Sequence, residues 1–537
     1  MDREELLQLI KDLVKLPSVT ESAEESLPAF FLQRRFLQLP YFKEHGDALT
    51  LIDTPLEGSK YELKALAVFV RADCGTNRTV LLISHFDVVS AECYGQLQPF
   101  AFDCDTLGEK FGNKDENRLY GRGVMDMKAG AAVNALLVED FAKDTSLFNV
   151  NILALFVGDE ENSSAGARGV LPYVAELKKK YGLDYLCAID TEPGEAGCTE
   201  QKGAMIYLGT LGKLMPAFYA HGVSEHVNAC YKGFSAALAV AKIIARAECS
   251  TALADPAEDF CETSWICLDA KTMCDKYSVT LPDRAYAYFN CFVTNDTPET
   301  LLSKMKLTAA NALKECSEQL ERSCLQLKNT GYKGAAFVPP AARVMTLAEL
   351  ETAARNKAGT GFDSLMEEFI NSLPAGDMRA RGISIVDRLA LLADIEEPYV
   401  VCFFLPPWLP ARSDYNGGAR EKGVLAAVRS LIKTAAEKYG TELKEVRWFA
   451  GLCDLSYTGA VLSPEDAESY RNSLPGGDAI YKMPLDAMLQ LGMPVANLGP
   501  SGENPHRKDE YLNLHYSIDI LPQLLKEFIA ELSLNVK

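Results

Sequence analysis

Short apolar runs alternate, along the first part of the chain, with stretches whose apolar residues recur at helical spacing. Leu63 to Arg71, Thr79 to His85, Asn151 to Gly158 and Tyr185 to Ile189 are the apolar runs. Each is short and bounded by polar or glycine residues, the pattern of strands buried on both faces. Between and around them, Asp2 to Lys15 carries leucines at helical spacing and closes at Pro17. Residues 28 to 43, MKAGAAVNALLVEDF and residues 169 to 181 also predict helices. Strands alternating with helices predict an α/β domain with a doubly wound, mostly parallel sheet.

The texture changes near Gly209. Lys213 to Ala220 predicts a strand, Phe234 to Glu248 an alanine-rich helix, Ser278 to Val293 paired strands and Pro298 to Arg322 a long helix. This predicts a second α+β domain, residues 209–412, inserted into a first domain made of residues 1–208 and 413–537. The pattern between 325 and 395 is too weak to order. Tyr399 to Leu405 is a clear strand, Lys422 to Tyr439 a helix, and a last helix begins near Ile520.

A chain of 537 residues exceeds what one core usually holds, consistent with that division. Its net charge of −20 lacks the cationic footprint nucleic acid requires. No apolar run reaches membrane-spanning length. The opening MDREELLQLI carries acids where a secretory signal would carry bases. The 15 cysteines include no C-x-x-C pair, as expected of reduced thiols rather than a disulfide framework. The expected location is therefore cytoplasmic, with no membrane or nucleic-acid partner.

Chemistry gathers at the ends of the predicted strands. The run LLISHFDVVSAE delivers His85 and Asp87 to a strand's carboxyl end, where ligands of open α/β sheets bind. Two residues apart on extended chain, they share a face. That spacing suits a histidine ligand backed by a carboxylate. Asp126 lies in a glycine-rich turn, Glu160 and Glu161 follow the strand at 151–158, Asp190 ends the next, and His506 sits in NPHRKDEY. Two histidines with several carboxylates suit zinc, and five ligands exceed one open tetrahedral site, so two metals sharing a carboxylate are the economical arrangement.

These motifs carry a resemblance. SHFDVV (84–89), GRGVMDMKAG (121–130), GDEEN (158–162), IDTEP (189–193) and NPHRKDEY (504–511) resemble the di-zinc amidohydrolase and peptidase family of acetylornithine deacetylase, succinyl-diaminopimelate desuccinylase, aminoacylase and the PepV dipeptidases. With FLPPWLP (404–410) and GLCDLSY (451–457), the chain is most similar to RocB-type arginine-utilisation proteins. The resemblance implies that His85 and Asp190 bind one metal, Glu161 and His506 the other, and Asp126 both. The metals are expected to be zinc, with manganese or cobalt as substitutes. It further implies Glu160 as general base, Asp87 as the support of His85, a cis peptide after Asp126, and His226 as a lid histidine that meets the substrate carbonyl. His45, His221 and His515 are expected to be structural.

One departure is visible. Family members often pair an asparagine and an arginine on adjacent lid strands to grip a substrate carboxylate. In SVTLPDRAYAYFNCFV those positions hold Val279 and Phe292, leaving Arg284 and the Gly499–Gly502 loop as candidate replacements. The resemblance implies a hydrolase cleaving the amide bond of a small N-acyl amino acid or dipeptide, acting as a monomer or homodimer. The alternative is a metal-binding or assembly protein that kept the fold without its activity.

Overall fold

The computed structural model describes the chain except residues 56–58, 195–203, 258–263, 275–276, 332–340 and 537. The chain divides into two units. The first comprises Met1–Leu211, Pro410–Leu462 and Pro484–Lys537, and the second comprises Gly212–Leu409 and Ser463–Met483. The segment Ser463–Met483 thus joins the second unit although it lies beyond the 209–412 insertion read from the sequence.

The first unit is built on an eight-stranded sheet. From edge to edge its strands are Leu49–Pro55, Glu62–Val70, Asn151–Val157, Arg78–His85, Asp184–Asp190, Val495–Asn497, Ala204–Tyr207 and Leu443–Val446. The four central strands, Asn151–Val157 to Val495–Asn497, run parallel. They are the continuous apolar runs of the sequence, because helices cover both faces. Val80, Leu82, Ile152 and Ala154 pack into a core with helices Arg3–Val14, Ala129–Lys143, Ala419–Tyr439 and Leu521–Asn535. The intervening Leu81, Ile83, Leu153 and Leu155 are equally buried on the opposite face, the face alternation a strand imposes.

The parallel register fixes where chemistry collects. His85 pairs with Val157, and Ile83 pairs with Asp190, so three neighbouring strands end together. Loops leaving those ends are brought side by side at the carboxyl edge, where open sheets bind ligands.

The second unit carries a five-stranded sheet in the order Trp265–Thr272, Arg284–Val293, Gly212–His221, Tyr399–Leu409, Arg343–Thr346. The paired strands expected within 278–293 are one strand, Arg284–Val293, whose partner Trp265–Thr272 lies earlier. The proline in SVTLPD and the polar residues around it end the ladder there. The weakly patterned stretch 325–395 holds the end of the long helix Pro298–Asn329, the short strand Arg343–Thr346, and helices Leu347–Ala358, Phe362–Ser372 and Met378–Ala393. Residues 332–340 within it lie outside the described residues. The tyrosine hydroxyl of Tyr219 donates to Asp387 at 2.7 Å, tying that sheet to helix Met378–Ala393.

Candidate metal centre

Asp126 stands at the middle of the site. Its Oδ1 lies 3.2 Å from His85 Nε2 and its Oδ2 3.2 Å from His506 Nε2, so its two oxygens face two different histidines. The peptide bond from Asp126 to Met127 is cis. Glu510, which the sequence reading did not single out, holds this turn. Its carboxylate accepts the backbone N–H groups of Gly123 and Met125 at 3.1 Å and of Asp126 at 3.4 Å. Arg122 donates to Glu510 at 2.8 Å and to the His506 carbonyl at 3.2 Å, so one buried ion pair anchors the loops of both Asp126 and His506. The same guanidinium meets the Cys93 thiol. Glu510's place in NPHRKDEY, four residues after His506, was the available signal.

Two groups of donors converge, each with its atoms within 4.8 Å of one another: His85, Glu160 and Glu192; and Asp126, Glu161 and His506. His506 Nε2 reaches Glu161 at 3.1 Å. Glu160 lies 3.9 Å from His85 Nε2, and Glu192 lies 3.3 Å from the same nitrogen. Asp190, expected beside His85, is buried at the strand end with its Oδ1 unpartnered, and belongs to neither group. Glu192 was legible by the argument applied to His85 and Asp87: in IDTEP it follows Asp190 by two residues on extended chain, on the same face.

Asp87 organises the turn beneath. The His85 Nδ1 lies 3.4 Å from its Oδ1 and 3.1 Å from its carbonyl. Its carboxylate accepts the N–H groups of Glu160 and Glu161, at 3.2 and 3.3 Å, and the Thr20 hydroxyl at 2.9 Å. One side chain therefore orients the histidine and sets the pair of glutamates. Asp159 turns the chain through a left-handed conformation, φ 64°, between the strand and those glutamates. Its carboxylate is satisfied by Ser163, Ala165 and Asn162. His506 is also left-handed, φ 62°, a conformation a non-glycine residue keeps only where its surroundings enforce it.

The electrostatics are those of crowded, buried acids. Burial, with Glu192 and Asp454 beside it, pushes Asp190 well above the usual carboxylate range. Burial raises Glu160 well above that range too, helped by Glu192, Asp454 and Glu161 and opposed by His85. Glu192 is pushed up to about 8, again mainly by burial. Burial disfavours charge on His85, but Glu192, Asp126 and Asp87 outweigh it, and the ring is raised well above its usual value. Burial opposes the charge of Asp126, yet the two histidines hold it below the ordinary range.

This donor set fits divalent metals. It offers only N and O donors, its central carboxylate presents one oxygen to each group, and it concentrates negative charge that a dication would relieve. The backbone beside it leaves no slack. A Cβ on Gly130 would lie 2.3 Å from the Thr191 carbonyl, and one on Gly499 would lie 2.1 Å from that of Glu192. Two glycines thus close on the Thr191–Glu192 backbone.

The sequence over residues 81–531 matches the family described as Peptidase family M20/M25/M40. The chain belongs to this family. Among its relatives, the uncharacterized protein YqjN of Bacillus subtilis (strain 168) is 30% identical over 99% of this chain and 96% of its own length. Protein RocB of the same organism is 24% identical over 98% and 94%. A succinyl-diaminopimelate desuccinylase of Cereibacter sphaeroides is 28% identical over 44% of this chain and 55% of its own. Among solved structures, the YXEP protein of Bacillus subtilis, a dinuclear metal-binding peptidase, aligns over 99% of both chains with a TM-score of 0.52 at 10% identity. The dipeptidase Dug1p of Saccharomyces cerevisiae aligns over 99% and 96% with a TM-score of 0.52 at 12% identity. The M20 fold is therefore shared, and the chain is a metal-dependent hydrolase.

The remaining candidates lie elsewhere. His226 is exposed on the second unit, capping the short helix Val227–Ala229 by accepting the Asn228 N–H. Arg284, a candidate for gripping a carboxylate, is bound through one guanidinium nitrogen to both oxygens of Asp387, at 3.0 and 2.9 Å. His45 stacks on Tyr41, His221 stacks on Tyr399, and His515 pairs with Asp519. Among the described residues, no helix is long and apolar enough to cross a membrane.

Proposed function

We propose that the chain hydrolyses the amide or peptide bond of a small N-acyl amino acid or dipeptide at a two-metal centre. The observation that supports this most directly is Asp126, with one carboxylate oxygen toward His85 and the other toward His506. In this reading His85 and Glu192 hold one metal, Glu161 and His506 the second, and Asp126 both. Glu192 takes the place the motif resemblance gave Asp190. Zinc suits the mixed N/O donors, and manganese or cobalt can serve in its stead.

Bound divalent metals would polarise the scissile carbonyl and acidify the attacking water. The protein's own groups do the rest. Glu160, half-buried in the donor group of His85 and Glu192 and next to Glu161, takes the water's proton on its carboxylate and passes it to the departing amine nitrogen. Burial favours its protonated form, which suits a group that must hold that proton between the two transfers. Asp87 keeps Nδ1 of His85 engaged, leaving Nε2 to face the metal position. His226 is proposed as a donor to the substrate's carbonyl oxygen.

Elemental analysis of metal-loaded protein should give two divalent ions per chain. Glu160→Gln should keep both and lose turnover on N-acetyl amino acids or dipeptides by roughly 10²–10⁴-fold, in kcat. Full turnover by that variant, or activity in a metal-free preparation, overturns the reading.

A further inference from the structure

GLCDLSY (451–457) stood out in the sequence but has no part in the mechanism so far. Asp454 lies at its centre, 2% exposed, and immediately precedes the short helix Leu455–Thr458. An aspartate there ordinarily accepts the helix's first N–H groups. This one accepts none, and both of its oxygens are buried with no hydrogen-bond partner. The Ser164 hydroxyl is near, but outside hydrogen-bond geometry. A buried carboxylate with both oxygens open is costly unless a partner arrives.

Further buried polar groups without partners lie around it. The helix that follows packs on strand Asp184–Asp190 and on Val495–Asn497. Asp190 and Asn497 are register partners on those strands, so their side chains share a face. Asp190 Oδ1 and both polar atoms of the Asn497 side chain are buried without partners. Asp454 is close enough to Glu160 and Asp190 for its charge to lift both.

We infer that Asp454, with the open oxygens of Asp190 and Asn497, forms a subsite for a cationic nitrogen of the substrate beside the metal centre. The inference rests on the two-metal hydrolase reading and extends it to a substrate class: amides that carry an ammonium or guanidinium group. Charge supports it. A cationic group meeting a desolvated carboxylate makes the stronger, charge-assisted kind of hydrogen bond. The occupied state of Arg284 agrees, since its guanidinium is already committed to Asp387.

The test uses metal-loaded protein and two substrate pairs, each differing by one ammonium group. They are Nα-acetyl-L-lysine against Nα-acetyl-L-norleucine, and L-alanyl-L-leucine against N-propionyl-L-leucine. In at least one pair the cationic member should have a kcat/KM higher by roughly tenfold or more, carried mainly by KM. Asp454→Asn should level that pair while retaining two metals. If that variant does not fold, Asp190→Asn carries the same expectation. Titration calorimetry with L-lysine against L-norleucine on the wild type, and with L-alanyl-L-leucine against N-propionyl-L-leucine on Glu160→Gln, which keeps the metals and loses turnover, reads the same preference as binding. Equal binding and equal kcat/KM in both pairs overturn the inference, as does a preference that survives both variants. A third equivalent of divalent metal that Asp454→Asn loses also overturns it, by giving the subsite to an inorganic ion. Absence of the two metals from the wild type would instead defeat the hydrolase reading, and calorimetry still decides the cation preference.

Discussion

Single residues at this site are governed by burial acting on acids. Glu25 shows it outside the donor groups. Burial, with Asp87 and Asp159 nearby, pushes its carboxyl up to about 9, and one of its oxygens has no hydrogen-bond partner. An acid whose pKa is higher folded than unfolded binds an extra proton on folding. Its stabilising protonation is therefore complete below the unfolded value of 4.5 and is lost as pH climbs toward about 9. The slope from one such group is at most about 1.4 kcal/mol per pH unit. Glu25→Gln keeps the shape and removes the ionisation. Its melting temperature relative to the wild type should rise between pH 6 and pH 8.5. A gap that is constant across that range would show that Glu25 is ionised in the fold or is not buried as described.

At the scale of elements, the site depends on three strands ending in register and on what passes over those ends. Gly499 lies in the loop after Val495–Asn497, where a methyl group would meet the Glu192 carbonyl at 2.1 Å and the Thr191 carbonyl at 2.6 Å. Both are backbone atoms, so relief requires moving the segment that carries Glu192. Gly499→Ala should therefore weaken binding at the metal position beside His85 and destabilise the fold by roughly 1–3 kcal/mol, as over-packing does. Gly108→Ala, in open space on helix Cys104–Lys110, is the control: it should leave metal binding unchanged and stabilise the fold slightly, by about 0.5–1 kcal/mol. Unchanged metal affinity in Gly499→Ala would mean the loop yields without disturbing Glu192. The same scale shows what the sequence could reveal. The central strands were legible because burial on both faces writes an unbroken apolar run, and His85, Asp87, Glu160 and Glu161 were legible as the polar residues that follow such runs. The edge strand Leu49–Pro55 was not, since its exposure dilutes the pattern. Nor was Trp265–Thr272, whose outer residues are exposed. Glu510 works through contacts made by a distant segment, and the inferred role of Asp454 depends on strands far from it in sequence, neither of which periodicity reports.

At the scale of the whole molecule, the candidate metal donors span residues 85 to 506, yet all of them belong to the first unit. His226 belongs to the second. The two proposed roles, holding metal and donating to the carbonyl oxygen, can therefore be separated by mutation. A ligand bound only by the folded chain stabilises it by mass action, about 2.7 kcal/mol at a free concentration of 100 Kd. Chelation should lower the melting temperature of the wild type, and His226→Ala should show the same drop, because it removes no metal donor. Its kcat should nevertheless fall by roughly 10²–10³-fold, the loss associated with one oxyanion donor. An unchanged kcat would exclude His226 from the reaction. A diminished response to chelator would show instead that His226 supports the metal centre. Mixing inactive Glu160→Gln with inactive His226→Ala then identifies the chain it serves. If His226 acts on a partner's metal centre, a mixed dimer contains one site with both residues intact and activity partly returns. If it acts within its own chain, every site in the mixture lacks one residue and activity stays lost.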